Sequence, residues 1–362
     1  MNRSSKKWIL QLCHSYGAPF DDVARQWKVL FDEAEYNVLT VFLTGKPNQK
    51  VSDLVGGQVE FLDYTSKDLK GLKRKQINVI RALHRKHHFQ LAIAHRYKPM
   101  YIASHIKGLK VYGVAHAYGV FNNFWRKQYI NRHKKDLTLY GVSNAIRDDI
   151  RASLSGFPQE KIHTFYNRVN VKKLKAGQIN REKARQQLGF DKEDYVVGNV
   201  GRLHPDKDQK TLIEGFAKSL PKLGKAKLAI IGEGRLRSEL EDQIKVLGLE
   251  NNVFLLGRVI DAWKYFKAFD VFALTSNYEP FGMVLLEAMT AEIPIISSDV
   301  GGAPEVLGDT SALFPLGSSE KLAEVLSTKA QQNTDTLLER VENHFSDQSA
   351  IAEFKKYWTS NA

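Results

Sequence analysis

VVGNVGRLHPDKDQKTLIEGF, residues 196–216, decides how the chain folds. It opens on an apolar run of strand length, passes through Gly201, Arg202 and a Pro-Asp turn, and continues with Leu212, Ile213 and Phe216 at helical spacing. A short apolar run, a glycine-bearing loop and an amphipathic helix make one βα unit of a parallel sheet. The unit recurs downstream in KLAIIGEG (227–234), NVFLLG (252–257), DVFALTS (270–276) and IPIISSD (293–299). Upstream it recurs in KWILQLCH (7–14), YNVLTVFLTG (36–45), VEFLD (59–63), FQLAIAH (89–95) and KVYGVAH (110–116). At 362 residues the chain exceeds what one compact core holds. The expected fold class is α/β, two doubly wound, Rossmann-like domains with a cleft between them, residues 1–170 and 171–345. Ligands of such sheets bind beyond the carboxyl ends of the strands, so function is to be sought in the loops there.

The single cysteine, Cys13, excludes an intrachain disulfide and fits a reducing, cytoplasmic location, although many periplasmic proteins also lack disulfides. No apolar run reaches the roughly 18 to 20 residues that span a bilayer, and MNRSSKKWILQLCHS has too short an apolar core for a signal peptide. The net charge of +13 is unevenly placed: residues 1–170 hold 28 Lys and Arg against 13 Asp and Glu, the remainder 25 against 27. The excess is densest in KDLKGLKRKQINVIRALHRKHH (67–88) and FWRKQYINRHKK (124–135). Such faces attract anionic lipid headgroups, nucleic acid or an acidic substrate, and a solvated helix face is the plainer account of either stretch alone. No RNA-stacking motif accompanies the charge, so no nucleic-acid partner is expected. His84, His87 and His88, beside Arg85 and Lys86, read as the wet end of a basic helix rather than as metal ligands.

In the opening stretch, Gly198 and Gly201 let backbone amides approach an anion, and Arg202 with Lys207 can bind and neutralise a diphosphate; a structural turn with surface cations is the alternative. The spacing is neither the G-x-G-x-x-G of dinucleotide sites nor the G-x-x-x-x-G-K-[ST] of phosphate loops. Asp206-Lys207-Asp208 has the D-x-D form, common enough by chance that no metal is expected from it. Gly232 and Gly234 close the strand of IIGEG and serve its turn. Gly257, Arg258 and Val259 end the next strand, where a base could lie against backbone. SNYEPFGMVLLEAM (276–289) sets Glu279 and Glu287 around a Pro-Phe-Gly turn. By default the first caps a helix and the second is a solvated charge. Ser143 and Asn144 read as a strand end and helix cap.

Five segments in order, GNVGRLHPDKDQKTLIEGFA, IIGEGRLRSELE, VFLLGRV, DVFALTSNYEPFGMVLLEAM and IPIISSDVGGAPEVL, span nearly all of residues 195–316. Together they resemble the retaining nucleotide-sugar glycosyltransferases of family four, with their E-x7-E motif and a GT-B fold of two facing Rossmann-like domains across a deep interdomain cleft. The resemblance implies that Glu287 accepts the ribose hydroxyls of the nucleotide and that Glu279 contacts donor-sugar hydroxyls. It implies that Phe281, Gly282, Met283 and Val284 form the turn that meets sugar or phosphate. Gly201, Gly232, Gly234, Arg258 and Val259 would complete the donor loops. Arg202 and Lys207 would hold the diphosphate and stabilise the charge that grows as the glycosidic bond breaks, without a metal. In the first half, Gly17 corresponds to a glycine loop that approaches the diphosphate. His116 corresponds to a histidine against the donor sugar, or is a satisfied structural histidine. The terminal segment, about 346–362, resembles the helix that crosses back to the first domain, which would bind the acceptor while the second binds the donor.

The expected function is a retaining, metal-independent glycosyltransferase that moves a sugar from a nucleoside-diphosphate sugar, UDP favoured, to a hydroxyl of a glycan or glycolipid, in lipopolysaccharide or other cell-surface polysaccharide synthesis. No separate cofactor is expected. No carboxylate offers itself as a nucleophile, so same-face attack guided by the leaving phosphate is favoured over a covalent intermediate. The basic first half would dock the protein peripherally on an anionic membrane, at the cytoplasmic face of the inner membrane. A sugar-nucleotide epimerase or phosphorylase of the same architecture, a nucleic-acid-binding protein and an inactive glycan-binding protein are the rival expectations.

Overall fold

The computed structural model describes residues 6–17, 20–31, 33, 35–308, 312–328 and 333–361. The chain divides into two compact units, Met1–Asn167 with Ala350–Ala362, and Arg168–Ser349. In the first, β1 (Lys7–Cys13), β2 (Tyr36–Phe42), β3 (Gln58–Phe61), β4 (Leu91–His95), β5 (Lys110–Ala115), β6 (Leu137–Gly141) and β7 (Ile162–Thr164) form one sheet in the order β3-β2-β1-β4-β5-β6-β7. In the second, β8 (Tyr195–Val200), β9 (Ala226–Ile231), β10 (Val253–Gly257), β11 (Val271–Leu274), β12 (Ile295–Ser298) and β13 (Leu313–Phe314) take the order β10-β9-β8-β11-β12-β13. The pairings are parallel throughout, as Ile9 opposite Val38 and Val197 opposite Leu228 illustrate. Each sheet reverses its direction of growth once, beside β1 and β4 in the first unit and beside β8 and β11 in the second. These are the switch points at which such sheets open a crevice.

The inner strands, such as β1, β4 and β8, are mostly apolar and buried, as expected where helices cover both faces of a parallel sheet. In the second unit Val197, Leu228 and Val271 meet Leu212, Ile213 and Phe216 of the helix Gln209–Leu223, and all six are fully buried. That helix begins where Asp208 accepts from Thr211 N–H and ends at Gly224, whose φ of +71° favours glycine. In the first unit Ser143 caps the helix Asn144–Ser153, its hydroxyl accepting from Ile146 N–H at 3.1 Å. Cys13, ending β1, packs with Ala24, Phe42, Val51 and Val55. His87 packs on Trp8, with ring centroids 4.2 Å apart, and His84 stacks on Phe89. At this expected wet end of a basic helix two of the three rings thus cover apolar neighbours, while His88 is exposed.

Arg168 opens the second unit buried, with its Nε 3.4 Å from Asp347 Oδ1, and Val169 donates to Phe345 O at 2.9 Å. The helix Asp347–Asn361 then carries the chain into the first unit, where Phe354 meets Phe31 edge-on at 5.3 Å. Met1–Ser5 and Ala362, parts of the expected first domain and terminal helix, lie outside the described residues.

Candidate functional site

In the second unit the loops after β8 and β11, the strands flanking the switch point, are stitched together. Asn277 N–H donates to Asp206 O at 3.1 Å, the Asn277 amide to Pro205 O at 2.8 Å, and the Thr275 hydroxyl to Lys207 O at 3.0 Å. With its backbone so fixed, Lys207 directs Nζ to Glu279 Oε2 at 2.7 Å, and the Ser276 hydroxyl donates to the same oxygen at 3.1 Å. Glu279 is only 7% exposed. It does not cap the helix Met283–Thr290: the cap position is Gly282, at φ +100°, with no side-chain cap bond. Gly302 N–H holds Glu279 O at 2.9 Å, and a Cβ at Gly302 would lie 2.7 Å from Phe281 Cα, so the loop after β12 braces this turn from behind.

Arg202 is the exposed cation of the pair, its side chain 68% accessible, with Nη2 2.8 Å from Asp206 Oδ2. The other Asp206 oxygen lies 2.6 Å from His204 Nδ1, and Asp208 caps the next helix. Both aspartates of the D-x-D triplet thus have structural tasks. Among the described residues no three His, Cys, Asp or Glu side chains gather as metal ligands would.

The glycines separate by what surrounds them. Gly198 lies inside β8, where a Cβ would strike the Phe269 ring at 2.2 Å, so it serves core packing and not an anion, contrary to expectation. Gly232 and Gly234 exist for close backbone approach: Cβ atoms there would stand 1.9 Å from Gly201 O and 2.2 Å from Leu203 O. They lock the loop after β9 onto the loop after β8, alongside Gly201 N–H to Ile231 O and Leu203 N–H to Glu233 O, each 2.9 Å. Gly201 itself has neither a positive φ nor a crowded Cβ, whose nearest neighbour would be Lys207 Cγ at 3.5 Å. The fold does not demand glycine there. Around the rim, Met283, Val284 and Glu287 share the one helix face left partly open while Leu285, Leu286, Ala288 and Met289 are buried; Phe281 is buried at the turn. Arg258 is exposed and Val259 partly buried just past β10.

Gly17 and His116 belong to the first unit, in the loops after β1 and β5. Gly17 has φ +105° and no atom within 4 Å of its ideal Cβ, so the turn itself favours glycine. His116 is the partly buried end of a polar chain that runs into the sheet. Gln11 Nε2 donates to Ala24 O at 3.0 Å and lies 3.1 Å from His95 Nε2; His95 Nδ1 lies 3.1 Å from His116 Nε2. The Gln11 carbonyl accepts from Thr40, which fixes the amide's orientation. His95 Nε2 must then accept, its Nδ1 carries the proton, and His116 Nε2 accepts in turn, leaving the His116 proton on Nδ1. Burial, then the nearby Arg96, pushes His116 down to about 3, and burial, then His116 and Arg96, holds His95 well below the usual range. Both rings are neutral at ordinary pH, so His116 offers directed hydrogen bonds and no charge. Sequence reasoning missed Gln11, Thr40 and His95. Their signal is a polar side chain inside a strand otherwise apolar on both faces.

Residues 180–343 match the family described as Glycosyl transferases group 1. An uncharacterised glycosyltransferase of Methanocaldococcus jannaschii is 35% identical over 169 residues, 46% of this chain and 43% of that protein. The N-acetyl-alpha-D-glucosaminyl L-malate synthase of Bacillus anthracis is 28% identical over 169 residues, 46% and 44% of the two chains. The aligned stretch spans less than half the length of these curated relatives. Among solved structures, Anabaena Alr3699/HepE in complex with UDP aligns at TM-score 0.83 and 20% identity, covering 98% of this chain and 100% of that one. A glycosyltransferase from Rickettsia africae aligns at 0.82 and 17%, covering 99% and 100%. At these identities the likeness concerns the fold: two parallel-sheet, Rossmann-like domains of the GT-B type.

Proposed function

We propose, from the match of residues 180–343 to the glycosyl transferases group 1 family, that the chain moves a sugar from a nucleoside-diphosphate sugar to a hydroxyl of a glycan or glycolipid. The observation that carries this is the rim after β8 and β11, where Lys207 is clamped against Glu279 and Ser276 beside exposed Arg202 and the uncrowded Gly201. Arg202 and Lys207 take the diphosphate, with the Gly201 backbone close to it; Glu279 receives sugar hydroxyls; Met283, Val284 and Glu287 face the nucleoside. UDP is the favoured carrier, a choice supported by the Anabaena neighbour, whose structure holds UDP. The bond from the anomeric carbon to the phosphate oxygen breaks, the acceptor oxygen bonds that carbon on the same face, and the acceptor proton passes to the departing phosphate. Retention follows from same-face attack, and the two cations make a metal unnecessary.

In this reading the acceptor belongs to an anionic membrane, in lipopolysaccharide or a related cell-surface glycan, with the protein peripheral on the cytoplasmic face. Support comes from three exposed large apolar side chains in the first unit, Leu72 (61%), Phe124 (60%) and Trp125 (76%), all set within its two basic stretches. No helix of the described residues is long and apolar enough to cross a membrane.

Incubating the chain with UDP-, GDP- and ADP-sugars and measuring released nucleotide tests the core of this. Arg202→Ala and Glu287→Gln should each lower turnover or UDP affinity by about ten-fold or more. Failure of every donor to bind or be cleaved excludes glycosyl transfer.

A further inference from the structure

We infer that the cavity beside His116 in the first unit is a binding site for a phosphate-class dianion carried by the acceptor. The word acceptor rests on the glycosyl-transfer reading; the anion site does not. The cavity, about 310 Å³, lies where the chain leaves β1, β4 and β5, at the first unit's own switch point. Arg96, Lys98 and Arg126 line it together with His14 and Tyr97, and among the described lining residues there is no carboxylate.

Each cation is built in. Arg96 directly follows β4 with φ +72°, a backbone that residues other than glycine seldom adopt, and its N–H donates to Val114 O at 3.0 Å. That turn lets Arg96, Tyr97 and Lys98 line the same space. Arg126 donates from Nη1 to Val120 O at 3.0 Å and stacks its guanidinium 4.7 Å over the Tyr97 ring. Lys73, with its ammonium 4.8 Å over the Tyr101 ring, stands close enough that burial, then Lys98 and Arg126, lower its pKa. Burial, then Lys98 and Arg96, push His14 down to about 4. Lys98 is thus among the causes of both shifts, after burial. Asp149 accepts the Gly119 N–H of this loop at 2.9 Å.

An anion held between these three partly buried cations is attracted by all of them. A single carboxylate would answer one guanidinium. A phosphate monoester, doubly charged and with three accepting oxygens, answers two guanidinium groups and an ammonium. The donor diphosphate has its own cations, Arg202 and Lys207, in the second unit, so this set is left for the other substrate.

Calorimetric titration of the full chain with inorganic phosphate and with glycerol 3-phosphate, and separately with UDP, tests the inference. Lys98→Ala/Arg126→Ala should weaken both phosphate probes at least ten-fold while UDP affinity stays within two-fold of wild type. Lys98→Met/Arg126→Lys, which keeps the side-chain stems, replaces it if circular dichroism shows the alanine variant unfolded. Vesicles containing phosphatidic acid that compete with glycerol 3-phosphate in wild type would mark a lipid-borne phosphate; lack of competition would mark a soluble one. Phosphate binding that is absent in wild type, or unchanged in the variants, overturns the site. A parallel loss of UDP binding overturns its assignment to the acceptor. Phosphate binding without any nucleotide-sugar binding leaves the anion site standing and sinks glycosyl transfer instead.

Discussion

Lys207 and Glu279 lie 72 residues apart in the chain and 2.7 Å apart in space, in a rim where their side chains are 18% and 9% exposed. Removing one partner leaves a largely buried charge, which costs about 3 kcal/mol or more. Lys207→Ala should therefore lower stability in urea unfolding by that order and turnover by ~10²-fold. Lys207→Met/Glu279→Gln should recover most of the stability and none of the turnover. If activity returns with stability, the pair is only a brace.

Glycines two loops apart should respond oppositely. Gly232→Ala and Gly234→Ala drive a methyl group into backbone oxygens at 1.9 and 2.2 Å, and each should destabilise by about 2 kcal/mol or more. Gly201→Ala meets only ordinary contact at 3.5 Å and should melt near the wild type, yet bind UDP about ten-fold more weakly. Thermal melts with and without UDP separate the two behaviours; unaltered UDP binding by Gly201→Ala would remove that backbone from the donor site.

Acid should unfold the first unit through its histidines. His14, His95 and His116 have folded-state pKa values below the unfolded value near 6.5, about 4 for His14 and about 3 for His116. Between about pH 6.5 and 4 the unfolded chain binds protons that the folded chain refuses, so stability falls as pH falls, by up to about 1.4 kcal/mol per pH unit for each such proton. His95→Gln should flatten that slope in urea titrations at pH 7, 6 and 5. An unchanged slope would mean that His95 is not among the groups responsible.

Membrane docking predicts a mixed signature. Trp125→Ala removes an exposed ring and should reduce co-sedimentation with phosphatidylglycerol vesicles several-fold while leaving the thermal melt unmoved. Raising salt to 0.5 M should weaken binding by wild type and variant alike, because the basic stretches remain. Equal sedimentation of both proteins would exclude Trp125 as an anchor.

What could be read from the residues was what depends on neighbours in sequence. The strand Tyr195–Val200 and helix Gln209–Leu223 follow from apolar spacing within the stretch 196–216, and the cap at Ser143 from its hydroxyl before a helical pattern. Strand order was beyond such spacing, and the sites depend on it. Gln11, His95 and His116 come together only because β4 sits between β1 and β5. Glu279 finds Lys207 only because β11 lies beside β8, which is why a helix cap looked the simpler role for it. Gly198 misled for a related reason, since the ring that fills its place, Phe269, stands far along the chain.

Cys13 is 3% exposed, and burial pushes its thiol far above the usual range. Because the thiolate is the reactive species, maleimide dyes should pass this cysteine by in the folded protein. The molecule therefore comes with a blank labelling background: one engineered surface thiol on either unit could carry a fluorophore or spin probe with no need to delete the native sulfur first.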